Sequence, residues 1–307
     1  MTEATDTHPP KKTDAPRAAR FKAALRGAVE SLLRWVLPRT VIGDRIYNYV
    51  DFIIKQRRLP RRRMLFNDYL LRMEVSGEML SLPRQLVSDK ELCKAYVDYK
   101  IGPGRTIPTI KVIRSADEVT EDAFPDSCVI KGTHLNGMVI IRRKGEPLPL
   151  DEIRAFLDSS LYRRTREQNY KYLEPKIIVE PIVFGGDMME MKVHCYRGQV
   201  RVFSVHPSGT NAGTLERFDR SWTRMPLKQR KPFPPISTPR PPCLDAFIEA
   251  AEQLSSDFEY IRVDAYVSGD EWLIGELTNC HMNIGWRPAD MEQERLFSRE
   301  LFGSDAS

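Results

Sequence analysis

Three times in this 307-residue sequence, two short β-rich runs stand on either side of a brief polar turn: 127–131 with 138–142, 189–196 with 199–206, and 260–267 with 271–277. A turn that short forces antiparallel pairing, because parallel strands need a crossover of a dozen residues or more. Arg197-Gly198 suits a tight hairpin, and Ser268, Gly269 and Asp270 form the third turn. Between the hairpins lie helical stretches at 89–100, 150–162 and 244–254, and another helix closes the chain. Ser88 reads as the cap of the first, and Gly102, Pro103 and Gly104 end it. Hairpins interleaved with helices, without regular βαβ alternation, predict an α+β fold. The stretch 226–242 carries seven prolines and too few amide donors for a central strand, so it reads as a rigid surface loop.

The N-terminal part has a different character. Residues 1–18 lack periodicity and are expected to be a disordered tail. Residues 19–83 read as a basic amphipathic helical extension: Phe21, Leu25, Ala28, Leu32 and Val36 recur at helical spacing up to Pro38, and a second series runs from Ile42 to Ile54. Six of the nine residues in 55–63 are basic. Residues 1–63 hold 15 Lys/Arg against 6 Asp/Glu, whereas the remainder holds 32 against 36. A basic head on a mildly acidic body argues for attachment and against nucleic acid as partner. Apolar and basic residues together suit an anionic membrane surface through residues 19–63; the alternative is that these helices dock on the body. No apolar run approaches the roughly 20 residues of a membrane span, and no secretion signal opens the chain, so the expected place is the cytoplasm, with peripheral contact at the inner face of the membrane.

Five scattered cysteines without a Cys-x-x-Cys pair read as reduced thiols. Neither phosphate-loop nor dinucleotide-binding glycine patterns occur, and no Gly-x-Ser-x-Gly marks a serine nucleophile. Two features carry chemistry. The stretch 128–141 places Lys131 at the end of one apolar strand, before a polar loop containing His134, Asn136 and Gly137; such a loop can offer amides and an ammonium to phosphate, or be only a hairpin. Asp264, in Arg262-Val-Asp264, and Glu276 lie inside strands that otherwise read apolar. An antiparallel pair sets them side by side, which calls for a divalent cation, magnesium by its oxygen ligands, or for pairing with Arg262.

In this order the segments resemble the ATP-grasp enzymes, specifically the TupA-like (teichuronopeptide-biosynthesis) branch. The resemblance runs from Ser88 to Phe302 and rests on Ser88-Asp89-Lys90, Ile101-Gly102 with Ile107-Pro108, Val129-Ile130-Lys131 with its loop, Ile178-Val179-Glu180, Glu190-Met191-Lys192, Ile261-Arg262-Val263-Asp264 and Gly275-Glu276-Leu277-Thr278. It implies two α+β subdomains, 84–180 and 181–307, clasping ATP. Lys90, Lys131, His134, Asn136 and Gly137 would surround the nucleotide. Glu180 and the residues after it, Val183 among them, would meet the adenine edge, and Asp187 the ribose, with Glu190 its rival. Lys192 and Arg262 would stabilise charge during phosphoryl transfer, and Asp264, Glu276 and Asn279 would hold Mg²⁺. Thr278 stands where the wider superfamily has Asn, with Asn279 one place late, and Leu135-Asn136 replaces a Gly-Ser pair in the loop.

The implied activity is ATP-dependent carboxylate–amine ligation through an acylphosphate, on small-molecule or glycan-linked acid and amine substrates, in bacterial cell-surface polysaccharide or peptide-polymer biosynthesis. Phosphorylation of a sugar hydroxyl at the same site, or ATP binding by a non-catalytic scaffold, are the alternatives.

Overall fold

The structure, a computed structural model, describes residues 17–186, 188–207, 214–228 and 237–306. Of the tail expected over 1–18, residues 1–16 lie outside the described residues, as do Asp187 and residues 229–236 of the proline-rich loop, while Arg17 and Ala18 stand in the first helix. No described helix is long and apolar enough to cross a membrane.

The architecture is α+β, built on two antiparallel sheets. The smaller comprises β1 (Lys111–Ile113), β2 (Cys128–Gly132), β3 (Val139–Arg142) and β4 (Ile177–Glu180), in the order β1-β4-β2-β3. Alternation on β2 sends Cys128 and Ile130 into a core shared with Ile177 and Val179. Ile153 and Phe156 of α6 (Leu150–Asp158) cover that core. The single helix expected over 150–162 breaks because Ser159 is extended; Ser160 then caps α7 (Leu161–Thr165) by accepting from the Arg163 amide.

The larger sheet has the order β7-β6-β5-β8-β9, with β5 Met189–Tyr196, β6 Gln199–His206, β7 Glu216–Asp219, β8 Tyr260–Ser268 and β9 Glu271–Thr278. Arg197 and Gly198, at φ 51° and 70°, make the expected tight turn between β5 and β6. One face, carrying Met191, Val193, Phe203, Val205, Val263 and Ala265, packs on α8 (Leu244–Ser255) and on Cys93 and Val97 of α5 (Lys90–Ile101). Thus α5, expected to open the first subdomain, adds to the core of the larger sheet. Its cap is Asp89, which accepts from the Glu91 and Leu92 amides, whereas Ser88 ends a preceding helix, α4 (Leu82–Ser88). The sequence reading missed α4 because Pro83 and a buried Arg84 obscure its apolar period.

The opposite face divides in two along the strands. Tyr196, Val202 and Tyr260 meet an apolar cluster from α3 (Phe66–Ser76) and α9 (Met291–Phe302), while the remainder is polar and open. The N-terminal helices therefore dock on the body. On α2 (Val41–Gln56), Asp44 is fully buried and receives Arg166 at 2.8 Å, Lys171 at 2.9 Å and the Tyr162 hydroxyl. The outward side of α1 (Arg17–Val36) and α2 remains apolar, with Leu32, Trp35, Val36, Ile42 and Ile46 exposed.

Two carboxyls are buried where α3 meets the segment after α7. Burial and the neighbouring Glu167 push Glu74 up to about 8, and burial pushes Glu167 up to about 7. Both values lie above the roughly 4.3 of an unfolded Glu, so the folded state binds more protons between those limits and loses stability as pH rises through the window. Urea denaturation of the wild type should show a stability loss on the order of 3 kcal/mol from pH 5.5 to 8.5, and Glu74→Gln should remove much of that slope.

Candidate functional site

The polar half of the larger sheet carries its chemistry in one transverse row. Arg217 on β7 pairs with Ser204 on β6, Ser204 with Lys192 on β5, Lys192 with Asp264 on β8, and Asp264 with Glu276 on β9. Strand side chains alternate faces, so residues in register share one face. A bulge between Asp264 and Ala265, opposite Gly275, keeps Glu276 in this row. A Cβ at Gly275 would come 2.9 Å from the Tyr266 ring, which would have to shift to admit it.

Arg262, one alternation further along β8, lies against the acids. It donates from Nε to Asp264 Oδ1 at 2.6 Å and from Nη2 to Oδ2 at 2.5 Å, and its Nη2 lies 3.6 Å from Glu276 Oε1. Nη2 also donates to the Thr278 hydroxyl, which donates to Glu276. Nη1 donates to Nδ1 of His281, whose ring burial and the adjacent arginine keep well below its usual pKa, hence neutral. Burial pushes the Asp264 carboxyl up to about 7 against the pull of Arg262. Burial acts the same way on Glu276, but Lys90, Arg262 and the Thr278 hydroxyl outweigh it and hold that carboxyl below its ordinary range.

The smaller sheet faces this row across a cleft of about 680 Å³, lined by Lys90, Lys131, Asn136, Gly137, Lys192, Arg262, Asp264 and Glu276 among others. Lys131 is positioned by Glu180, whose carboxylate pairs with it at 2.8 Å and with Lys94 at 2.6 Å. Lys90 donates to the Leu135 carbonyl at 2.5 Å, which ties the loop 133–137 to the first turn of α5. Leu135 itself is buried in the small-sheet core and folds back on Gly132, where a Cβ would sit 2.6 Å from its Cδ1. The replacement of the loop's Gly-Ser pair by Leu135-Asn136 thus anchors the loop through its apolar member.

Sequence comparison bears on what such a cleft is for. The profile of the TupA-like ATPgrasp family matches residues 71–299, three quarters of the chain. The chain belongs to the TupA-like ATP-grasp family. No curated protein matches it. Among solved structures it is similar to a D-alanine–D-alanine ligase from Helicobacter pylori, with 15% identity, 70% of this chain and 61% of that one covered, and a TM-score of 0.39. It is also similar to an L-amino acid ligase from Bacillus licheniformis, at 12% identity, 77% and 56% coverage and a TM-score of 0.44. The chain spans about six tenths of the length of the first of these.

Against the roles that membership in the TupA-like family suggests, Lys90, Lys131, Asn136, Gly137, Lys192, Arg262, Asp264 and Glu276 all line the one cleft, as does Glu190, which pairs with Lys192 at 3.2 Å. Four others lie away from its lining. His134 is buried, with Nε2 3.0 Å from the Ser159 carbonyl and Nδ1 accepting from the Lys176 amide, so both ring nitrogens are occupied. Glu180 acts behind the lining by holding Lys131, and Val183 lies half-buried outside it. Asn279 faces the helices instead: its Oδ1 accepts from Arg84 and its Nδ2 donates to the Arg84 carbonyl and the Ser88 hydroxyl. Its amide is thus engaged by α4 and not by the cleft. Among the described residues, no group of three or more His, Cys, Asp or Glu side chains converges on one point.

The cleft also contains residues that the sequence reading did not select, notably Ser204, His206, Arg217 and Tyr266. Period-two continuation from Lys192 and Asp264 would have found Tyr266, and the hairpin register would have found Ser204. Arg217 had no such signal, because its strand is four residues long. Asn279→Ala should lower stability by about 1–3 kcal/mol in chemical denaturation while leaving the magnesium concentration for half-maximal ADP formation unchanged.

Proposed function

We propose that this chain is an ATP-dependent carboxylate–amine ligase. The observation that carries the reading is the meeting, in one cleft, of Lys90 and Lys131 from one side and Asp264, Glu276, Arg262 and Lys192 from the other. Phosphoryl transfer asks for positioning and charge neutralisation and for little covalent work by the protein, which fits a cleft whose lining brings lysines, arginines and carboxylates together.

Lys131, steadied by Glu180, and Lys90, steadied by the loop carbonyl, would hold phosphate oxygens. Asp264 and Glu276 fit Mg²⁺: both are oxygen donors in register on neighbouring strands, and such an ion commonly takes one or two carboxylates plus substrate phosphates. Bound there, the ion would neutralise phosphate charge. Arg262 and Lys192 would stabilise charge on the transferred group as a carboxylate oxygen attacks the terminal phosphorus and ADP leaves. An amine then attacks the acyl carbon, phosphate departs with the bonding pair, and the amine loses a proton. Ser204, Arg217 and Trp286, further along the row and its wall, face the side where acid and amine would lie.

We place the activity in the assembly of a bacterial cell-surface polysaccharide or peptide polymer, with acid and amine as small molecules or glycan-linked groups. Support for work beside an anionic membrane, at the inner face, comes from α1 and α2: Trp35 is 84% exposed and Leu32 59%, and Arg39, Arg45 and the basic run at 61–63 are exposed nearby in sequence.

Two experiments test this. Release of ADP with inorganic phosphate should require magnesium and both an acid and an amine; Asp264→Asn or Glu276→Gln should cut the rate by roughly 100-fold or more. Phosphate retained on a hydroxyl acceptor would instead identify a kinase, nucleotide binding without turnover a scaffold, and full activity of both variants would remove the site. In vesicle co-sedimentation, Leu32→Ala with Trp35→Ala should weaken binding to phosphatidylglycerol-rich vesicles by roughly tenfold, and equal binding by both proteins would exclude this surface.

A further inference from the structure

Arg217 differs from the other deeply buried arginines of the fold. Arg166 pairs with Asp44, Arg84 with Glu78 and the Tyr260 carbonyl, and Arg262 with Asp264. Arg217 is only 7% exposed, and among the described residues its Nε has no hydrogen-bond partner and no carboxylate pairs with it. Burial lowers its pKa to about 10 with no acid offsetting the shift, which still leaves the guanidinium charged at neutral pH.

Its placement is nonetheless well defined. The backbone pairs with Ser204 on one side and accepts from the Met225 amide on the other. The guanidinium carbon lies 5.5 Å from the Trp286 ring centre and 5.8 Å from that of Phe297. Rings on which a guanidinium rests limit its orientation, and its planar fork is suited to two parallel bonds to one carboxylate or phosphate. Lys228 lines the same end of the cleft, exposed, where a second cation attracts anions. A buried cation without a partner costs stability, and here it opens onto a cleft.

We propose that Arg217 receives an anionic group, carboxylate or phosphate, carried by a substrate at a point distinct from the reacting centre. Three strand spacings separate Arg217 from Asp264 along the row, roughly 14 Å. The cleft therefore selects substrates with an acidic group set apart from the carboxylate or amine being joined. The inference rests on the ligase reading for what reacts, and on Arg217 alone for what binds.

The test follows thermal unfolding of the full chain titrated with glutarate, its uncharged diamide glutaramide, and ethyl phosphate, in wild type, Arg217→Met and Arg217→Lys. Wild type should be stabilised saturably by glutarate or ethyl phosphate, the stronger of the two identifying the anion, and at least tenfold less effectively by glutaramide. Arg217→Met should respond at least tenfold more weakly, Arg217→Lys in between, and ligand-free Arg217→Met should melt no lower than wild type because an unpaired charge has gone. Equal half-saturation in wild type and Arg217→Met, or glutaramide as effective as glutarate, would overturn the proposal. Magnesium–ATP is titrated in parallel: loss of its stabilising effect in every protein would count against the ligase reading, while an anion response dependent on Arg217 would still support this one.

Discussion

Asp264 and Glu276 face each other in register on neighbouring strands, and two carboxylates so placed in a partly desolvated cleft need a cation beside them to remain ionised together. Arg262 meets that need from the same strand as Asp264, with two bonds to one acid and a longer approach to the other. Breaking a buried pair by removing one partner costs roughly 3–5 kcal/mol, so the arginine and the acids form one unit. Thr278 and neutral His281 complete it by accepting from two further guanidinium N–H groups. A hard cation brought in with phosphates would meet carboxylates already aligned, and Glu276 is the freer of the two to turn toward it.

That unit sits at the boundary between the apolar and polar halves of one sheet face, and the N-terminal helices create the boundary. Phe66 on α3 stacks its ring among His194, Tyr260, Trp286 and Phe297, at centroid distances from 5.0 to 5.8 Å. The same helix is clamped by Arg58, which bridges Asp68 and Glu294 of α9. Trp286 is thus held from behind by α3 and α9 while its other surroundings include Arg217. What reads in the sequence as an appended extension is a structural support for one wall of the cleft, and only its outward side remains available for a membrane.

How much of this was legible in the sequence depends on the range of the interaction concerned. Hairpins, and with them the α+β class, follow from local turn chemistry, and Asp264, Glu276 and Lys131 stand out because charge interrupts an apolar strand. Asp89 against Ser88 is a contest between adjacent capping residues that only the backbone decides. Asn279 is offered as a ligand by the family resemblance alone; its hydrogen-bond partners, Arg84 and Ser88, are about 190 positions away, beyond the reach of any local pattern. His134 was chosen for its loop, yet its ring is fixed by Ser159 and Lys176, contacts that no local pattern announces.

The bulge opposite Gly275 shows why register carries more information than composition here. Strict alternation along β9 from Leu277, which faces the core, would send Gly275 and Leu273 inward and leave Ile274 and Trp272 facing the cleft. One extra residue reverses the parity: Trp272, Ile274 and Leu277 all join the core with α8, while Glu276 and Thr278 stay on the polar face. Two large apolar side chains therefore reach the interior only if the strand bulges, and burying each contributes roughly 1.5–3 kcal/mol. The core thereby holds the bulge, and the bulge holds the carboxylate that faces Asp264. Packing on one side of the sheet thus sets the alignment of charges on the other, and the row from Glu276 to Arg217 inherits its order from residues that never touch the cleft.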